Sequence, residues 1–240
     1  MFKQHVYNEH TLLIHPKYDH AVDLNWFKAS FWQQQNKIVG TKKGRATAWF
    51  FQFEDLTGVL RHYWRGGLIG KVLNDQYLYS SLEKTRVYKE FSLMYTLIDM
   101  GLNVPKPIAA KVTRSGLIYR GDIITEAVAG AKSILDILID RPLNEKELSQ
   151  IAKTVALFHS NGVYHADLNI NNILFNEIGE VYIIDFDRGE IKANNPKWQQ
   201  SNMARLERSF LKEQSRNPHF HWQSDDWQSL ANFYCKYLIN

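Results

Sequence analysis

The period of the apolar residues changes near residue 127, and this change constrains the chain more than any other feature. Before it, β-rich stretches at 37–39, 46–53 and 59–64 are split by turn signals at 40–44 and 55–58, the pattern of an antiparallel meander. Val87, Phe91, Met94 and Ile98 then follow helical spacing up to Gly101, and Pro105 and Pro107 block any extension, which predicts a helix over 82–100. Strands at 108–112 and 117–125, around a turn at 114–116, complete a five-stranded sheet with one helix against it. From residue 132 helical patterns dominate. The clearest joins Leu148, Ile151, Ala152, Val155 and Phe158, with Asn144 as N-cap and Glu147 three residues on. Two short strands at 173–175 and 181–184 interrupt it around a turn at 176–179, and helices resume over 199–214 and 224–238. The fold class expected is α+β in two lobes with a cleft between them: a small antiparallel β-rich lobe over 1–126 and an α-helical lobe over 127–240.

Composition excludes several alternatives. The 240 residues are 45% hydrophobic and 22% charged, too apolar and too balanced for a disordered chain. A net charge of +4 is compatible with an anionic substrate without demanding one, and no zinc spacing, basic tail or aromatic-basic signature points to nucleic acid. Cys235 is the only cysteine, so a disulfide or a Cys-rich metal site within the chain is impossible. The opening MFKQHVYNEHTLLIHP lacks the apolar core of a secretory signal, and no run of apolar residues is long enough to span a bilayer; a cytoplasmic protein is expected. The many Trp, Tyr and Phe residues suit either a core or a membrane-surface anchor.

Chemistry concentrates in HADLNINNILFNEIGEVYIIDFD, residues 165–187, which places an acid, an amide and a second acid around a loop and a hairpin. Phosphoryl transfer needs that set: a carboxylate to take the acceptor hydroxyl's proton, and an Asn and an Asp to hold magnesium against the ATP phosphates. Asp167 supplies the base, and Asn172 and Asp185 the magnesium ligands. Their separations match the H-x-D-x4-N and D-F-G elements of protein-kinase-like folds. Each residue alone would read as a turn or cap residue; three matched spacings do not. His165 is expected to prop the loop from the core rather than to titrate in the reaction. Asp187 suits two roles equally, a further magnesium carboxylate or a turn cap.

The first lobe would hold the nucleotide. Gly40 and Gly44 in VGTKKGRATAWFF let backbone amides approach phosphates, or else mark an ordinary hairpin. Gly58-Val59-Leu60-Arg61 stands in the place of a kinase V-A-I-K strand, so Val59 would face adenine and Arg61 the phosphates, with Arg in place of the usual Lys. Glu90 on the following helix is the expected partner of Arg61. Glu126, Ala127 and Val128 would form the hinge whose backbone meets adenine.

Several departures narrow the acceptor. Ala166 replaces the Arg that reads a phosphorylated activation loop, Asn169 replaces the Lys of Ser/Thr kinases, and DFD replaces DFG with no APE-like segment behind it. These losses favour a small molecule or glycolipid over protein. VLRHYWRGG at 59–67, the HADLNINNIL loop, VYIIDFDRGEI and the tail WQQSNMARLERSFLK resemble the bacterial lipopolysaccharide kinases, in particular those acting on 3-deoxy-D-manno-octulosonic acid (Kdo). The resemblance covers about residues 36–238. It implies transfer of phosphate from ATP, with Mg2+, to the 4-OH of the Kdo residue on lipid A, at the cytoplasmic face of the inner membrane, with no protein partner. The heptose kinases of the same pathway and other small-molecule phosphotransferases are the near alternatives, and a kinase-like binding module the non-enzymatic one. An anionic membrane surface would meet Arg65, Lys71, Lys84, Arg86 and Lys89, which equally suit a solvated helix face. Arg188, Arg205, Arg208 and Lys212 follow the second magnesium Asp, where a sugar carboxylate would bind.

Overall fold

The computed structural model describes residues 2–43, 47–65 and 75–239. They form two compact units, Met1–Thr96 with Pro105–Ala127, and Leu97–Val104 with Val128–Asn240.

The first unit is built on an antiparallel sheet. A hairpin of β1 (Lys3–Tyr7) and β2 (His10–Ile14) leads through two 3-10 turns into a short helix α1 (Ala29–Gln34). β3 (Ile38–Lys43), β4 (Thr47–Phe53) and β5 (Leu56–His62) follow, then β6 (Tyr77–Leu78), helix α2 (Arg86–Asp99), β7 (Pro107–Ser115) and β8 (Ile118–Glu126). The strand order is β1-β2-β7-β8-β5-β4-β3, with β6 pairing the start of β8.

Among the described residues the sheet therefore has eight strands, not the five expected. The missing hairpin turns at Asn8, whose φ of 50° lies in the left-handed region that Asn tolerates, and β2 then pairs with β7 from His10↔Thr113 to Ile14↔Ala109. The expected turn at 55–58 is also displaced. The reversal occurs at Glu54, with φ 52°, and Leu56, Thr57 and Gly58 are already strand. Gly58 looks like a turn glycine but sits opposite Phe51, whose ring would lie 2.3 Å from any added Cβ. Gly40 is likewise a strand residue, paired with Phe50 beside a register shift in β3.

α2 and the segment before β3 cover opposite faces of this sheet. Arg61 reaches Glu90 of α2, while its strand neighbour Leu60 belongs to a core with Trp26, Phe27, Trp32, Phe51 and Ile124; successive strand side chains point to opposite faces. Trp32 stacks on Phe51 at 3.9 Å, and its indole N–H donates to the Trp26 carbonyl at 2.8 Å, so this large ring is buried without an unpaired donor. On the other side Val87 approaches so closely that a Cβ at Gly121 would meet its Cγ2 at 2.0 Å.

The second unit is mainly helical. Strand β9 (Lys132–Ser133) opens helix α3 (Ile134–Asp140), α4 (Glu145–Ser160) follows, and short strands β10 (Val163–Tyr164), β11 (Ile173–Phe175), β12 (Val181–Ile183) and β13 (Glu190–Ile191) precede α5 (Pro196–Arg216) and α6 (Ser224–Ile239). The capping box at Asn144 forms in full. Its side chain accepts from the Glu147 N–H at 3.0 Å, and the Glu147 carboxylate accepts from the Asn144 N–H at 2.9 Å. The loop after α2 groups with this unit because Asn103 bonds β12 twice: its carbonyl accepts from Ile183 at 3.1 Å and its amide donates to Val181 at 3.2 Å.

Candidate active site

The segment between β10 and β11 is an irregular loop held by its own polar side chains. Buried His165 donates from Nε2 to the Ile184 carbonyl at 3.0 Å and accepts the Asp167 N–H on Nδ1 at 3.1 Å. Those two bonds fix one neutral tautomer, and burial lowers the pKa of the ring in the same direction. His165 thus props the loop and carries no proton to spare for chemistry. Asn169 and Asn172 both donate their side-chain amides to the Asp167 carbonyl, at 2.8 and 3.0 Å. Asn169 also accepts the Asn171 N–H at 2.9 Å, an Asx turn that winds the loop back toward β11.

These bonds leave the Asp167 carboxylate facing out, with its side chain 49% exposed, while the backbone behind it is pinned. Because the Nδ2 end of buried Asn172 is committed to Asp167, its carbonyl oxygen is the end left to bind a ligand. The Asn172 backbone carbonyl accepts the Ile184 N–H at 2.9 Å, which brings Asp185, the next residue, beside it. Asp185 has φ 65°, a left-handed conformation that turns the chain sharply after β12, and Phe186 is fully buried against Phe158 and His165. An amide oxygen and a carboxylate, with the Asp187 carboxylate two residues on, are hard oxygen donors of the kind magnesium takes.

Three residues of α5, none placed in this loop's support by the sequence, complete it. Asn202 is buried and bonds both backbone groups of His165, accepting at 3.2 Å and donating at 3.0 Å. Ser209 accepts the Ile170 N–H at 3.2 Å. Arg205 lies between them and places Nη1 3.0 Å from Asp167 Oδ1. The usable signal was the polar series Asn202, Arg205, Ser209 running beside the apolar series Met203, Leu206, Phe210 on one helix.

In the first unit Arg61 and Glu90 do pair, Arg61 donating from Nη2 to Glu90 Oε1. The Glu90 side chain is fully buried, and the Tyr63 hydroxyl donates to its second oxygen. Val59, Arg61 and Tyr63 alternate along one face of β5 and its extension, a spacing that could have disclosed Tyr63. At Gly40 an added Cβ would meet only Phe50 Cβ, at an ordinary 3.8 Å, so packing does not require glycine there. Gly44, Arg45 and Lys71 lie outside the described residues. The Glu126 carboxylate accepts from the Tyr18 hydroxyl at 2.7 Å, its N–H donates to Lys106, and the Ala127 N–H donates to Thr57, so the strand end before Val128 is firmly anchored. Of the basic residues near α2, Arg65 and Arg86 turn onto the Tyr77 ring, both at 4.9 Å, whereas Lys84 and Lys89 are exposed.

Residues 29–234 match the profile of the lipopolysaccharide kinase (Kdo/WaaP) family. The chain belongs to that family. It is 43% identical over 205 residues to the 3-deoxy-D-manno-octulosonic acid kinase of Vibrio parahaemolyticus serotype O3:K6, covering 85% of each chain. It is 39% identical to the protein of the same name from Vibrio vulnificus strain YJ016 over 234 residues, 98% of each chain. The corresponding Vibrio cholerae protein is 44% identical over 183 residues, 76% of this chain and 77% of its own. Family membership makes the chain a kinase, in agreement with the resemblance carried by its loop and tail motifs. No helix among the described residues is long and apolar enough to cross a membrane.

Proposed function

We propose that this lipopolysaccharide kinase transfers the γ-phosphoryl group of ATP to the 4-OH of the Kdo residue of Kdo-lipid A. The observation that carries the reading is the pinned loop that presents the Asp167 carboxylate outward and aligns Asn172 with Asp185. Asp167 accepts the proton of the acceptor hydroxyl as the O4–Pγ bond forms and the bond from Pγ to the leaving oxygen breaks, releasing ADP. Because the backbone on both sides of this carboxylate is pinned, the loop needs no rearrangement to present it to the hydroxyl. The Asn172 carbonyl oxygen and the Asp185 carboxylate would hold magnesium, which screens the phosphate charge when bound.

Arg61, steadied by buried Glu90, takes the phosphate-anchoring task that a lysine performs in other kinases. Gly40 and Gly44 are the residues that would let backbone amides approach the phosphates; at Gly40 packing does not itself require glycine, which is compatible with that role. Val59 packs on adenine, and the backbone of Glu126 and Val128 meets its edge. An enzyme with an anionic glycolipid acceptor works at a membrane surface, and exposed Lys84 and Lys89 suit attraction to anionic head groups on the cytoplasmic face of the inner membrane.

The test is to incubate the full chain with labelled ATP, magnesium and a panel of Kdo-lipid A, heptosylated core, casein-like protein and an aminoglycoside. Label is expected in Kdo-lipid A. Label in protein or heptose alone, or nucleotide binding without transfer to anything, would overturn the reading.

A further inference from the structure

The tail motif WQQSNMARLERSFLK, residues 198–212, forms most of α5, and the mechanism above gives it no contact with substrate. Its polar residues nevertheless converge on the loop. Asn202 grips the His165 backbone, Ser209 grips Ile170, and Arg205, three residues after one and four before the other, lies on the same helix face. Arg205 is therefore registered against Asp167 by two anchors on either side.

The pair they create is unusual for a purely structural contact. Arg205 and Asp167 are 46% and 49% exposed, and ion pairs that open to water add little to stability. Only Nη1 of the guanidinium and Oδ1 of the carboxylate are used. Asp167 Oδ2 and the other guanidinium N–H groups have no protein partner among the described residues. A proton acceptor and an anion-binding fork thus stand side by side, both open to an incoming molecule.

We propose that Arg205 binds the carboxylate of the acceptor sugar while Asp167 Oδ2 takes the proton of the hydroxyl to be phosphorylated. This rests on the reading of Asp167 as base and of a sugar acid as acceptor. The planar guanidinium matches a carboxylate bidentately, and an ulosonic acid carries its carboxylate and its hydroxyls on one ring, so adjacent side chains can read both. A neutral sugar offers Arg205 no carboxylate to pair with, and the same contact that orients the hydroxyl also selects the acid.

The experiment compares wild type, Arg205→Gln and Arg205→Lys on Kdo-lipid A and on the same glycolipid with its Kdo carboxyl reduced to the alcohol. Reduction should lower wild-type kcat/KM by about ten- to a hundred-fold, the range of a charge-assisted hydrogen-bonded pair. Arg205→Gln should lose a similar factor on the native acceptor, almost entirely in the acceptor KM, with the ATP KM unchanged. Arg205→Lys should retain part of the activity. The two losses should not multiply, because each removes the same contact. Losses that multiply, or a raised ATP KM with an unchanged acceptor KM, would overturn the role of Arg205, the latter by moving it to the phosphoryl group. Failure of the active-site reading is separate: a wild-type enzyme that never labels Kdo-lipid A overturns both.

Discussion

The side-chain amide of Asn202 closes a two-point clamp on the backbone of His165, accepting its N–H at 3.2 Å and donating to its carbonyl at 3.0 Å. Both partners are buried, so each bond satisfies a group that water cannot reach. The clamp joins a helix late in the chain to the start of the loop that carries Asp167.

Asn202→Ala should cost about 2–6 kcal/mol in denaturant unfolding, since two buried backbone groups lose their partners at about 1–3 kcal/mol each. Asn202→Asp should be no better, because a carboxylate oxygen would replace the amide N–H that faces the His165 carbonyl. The loss should appear in turnover more than in ATP affinity, because the clamp supports the loop of Asp167. Wild-type stability in Asn202→Ala would show that the clamp is dispensable.

Asp167→Asn should remove transfer while leaving nucleotide affinity nearly intact, whereas Asp185→Asn should also weaken binding of magnesium-ATP. Nucleotide titrations of both variants, with and without magnesium, separate the roles. Equal loss of ATP binding in the two would contradict the assignment.

Arg61→Met should raise the ATP KM and lower turnover by about ten-fold or more, since charge-assisted bonds to phosphate contribute about 1.5–3 kcal/mol. Glu90→Gln should reproduce part of that defect, because Glu90 orients the guanidinium, and the double variant should cost less than the two losses summed. Tyr63→Phe removes a bond to a carboxylate with no exposed surface, so it should destabilise the fold while changing ATP KM less than Arg61→Met does. If Arg61→Met keeps wild-type kinetics, the phosphate cation lies elsewhere, with Lys42, Lys43 and Arg45 the next residues to replace.

Buried His159 gives the protein an acid sensitivity with a defined window. Burial lowers its pKa from 6.5 to about 4, and its Nδ1 bonds the Tyr234 hydroxyl at 2.6 Å. As pH falls through that interval the unfolded chain takes up a proton that the folded chain refuses, so stability present above pH 6.5 is lost on the way to about 4. The loss from this group is at most about 3 kcal/mol. Melting temperature should fall across the window, and His159→Gln should flatten the slope; an unchanged slope would assign the acid loss to other groups.

Much of the fold could be read along the chain because its signals are local. The capping box at Asn144 and Glu147, the hairpin of β11 and β12, and the helical repeat through Val87, Phe91 and Met94 depend on residues a few positions apart, and each forms as its spacing demands. The winding of the loop from Asp167 to Asn172 is local as well, since its own asparagines bond the Asp167 carbonyl and the Asn171 N–H. The turn at 55–58 was misplaced because Gly58 answers to the ring of Phe51 on the neighbouring strand, and no local pattern encodes that contact.

Relationships across long stretches of chain belong to the tertiary structure alone. The hairpin of β1 and β2 completes the sheet only when β2 meets β7, some hundred residues later, as in the pairing of His10 with Thr113. Arg205 reaches Asp167, and Asn202 reaches His165, only because α5 packs along the loop. A helical sequence states which residues share a face but not which distant backbone that face will meet, because that choice is made by the burial of Met203, Leu206 and Phe210 in the core. The sequence by itself determined the chemical groups of the candidate site and their local order; packing decided which cation stands beside Asp167.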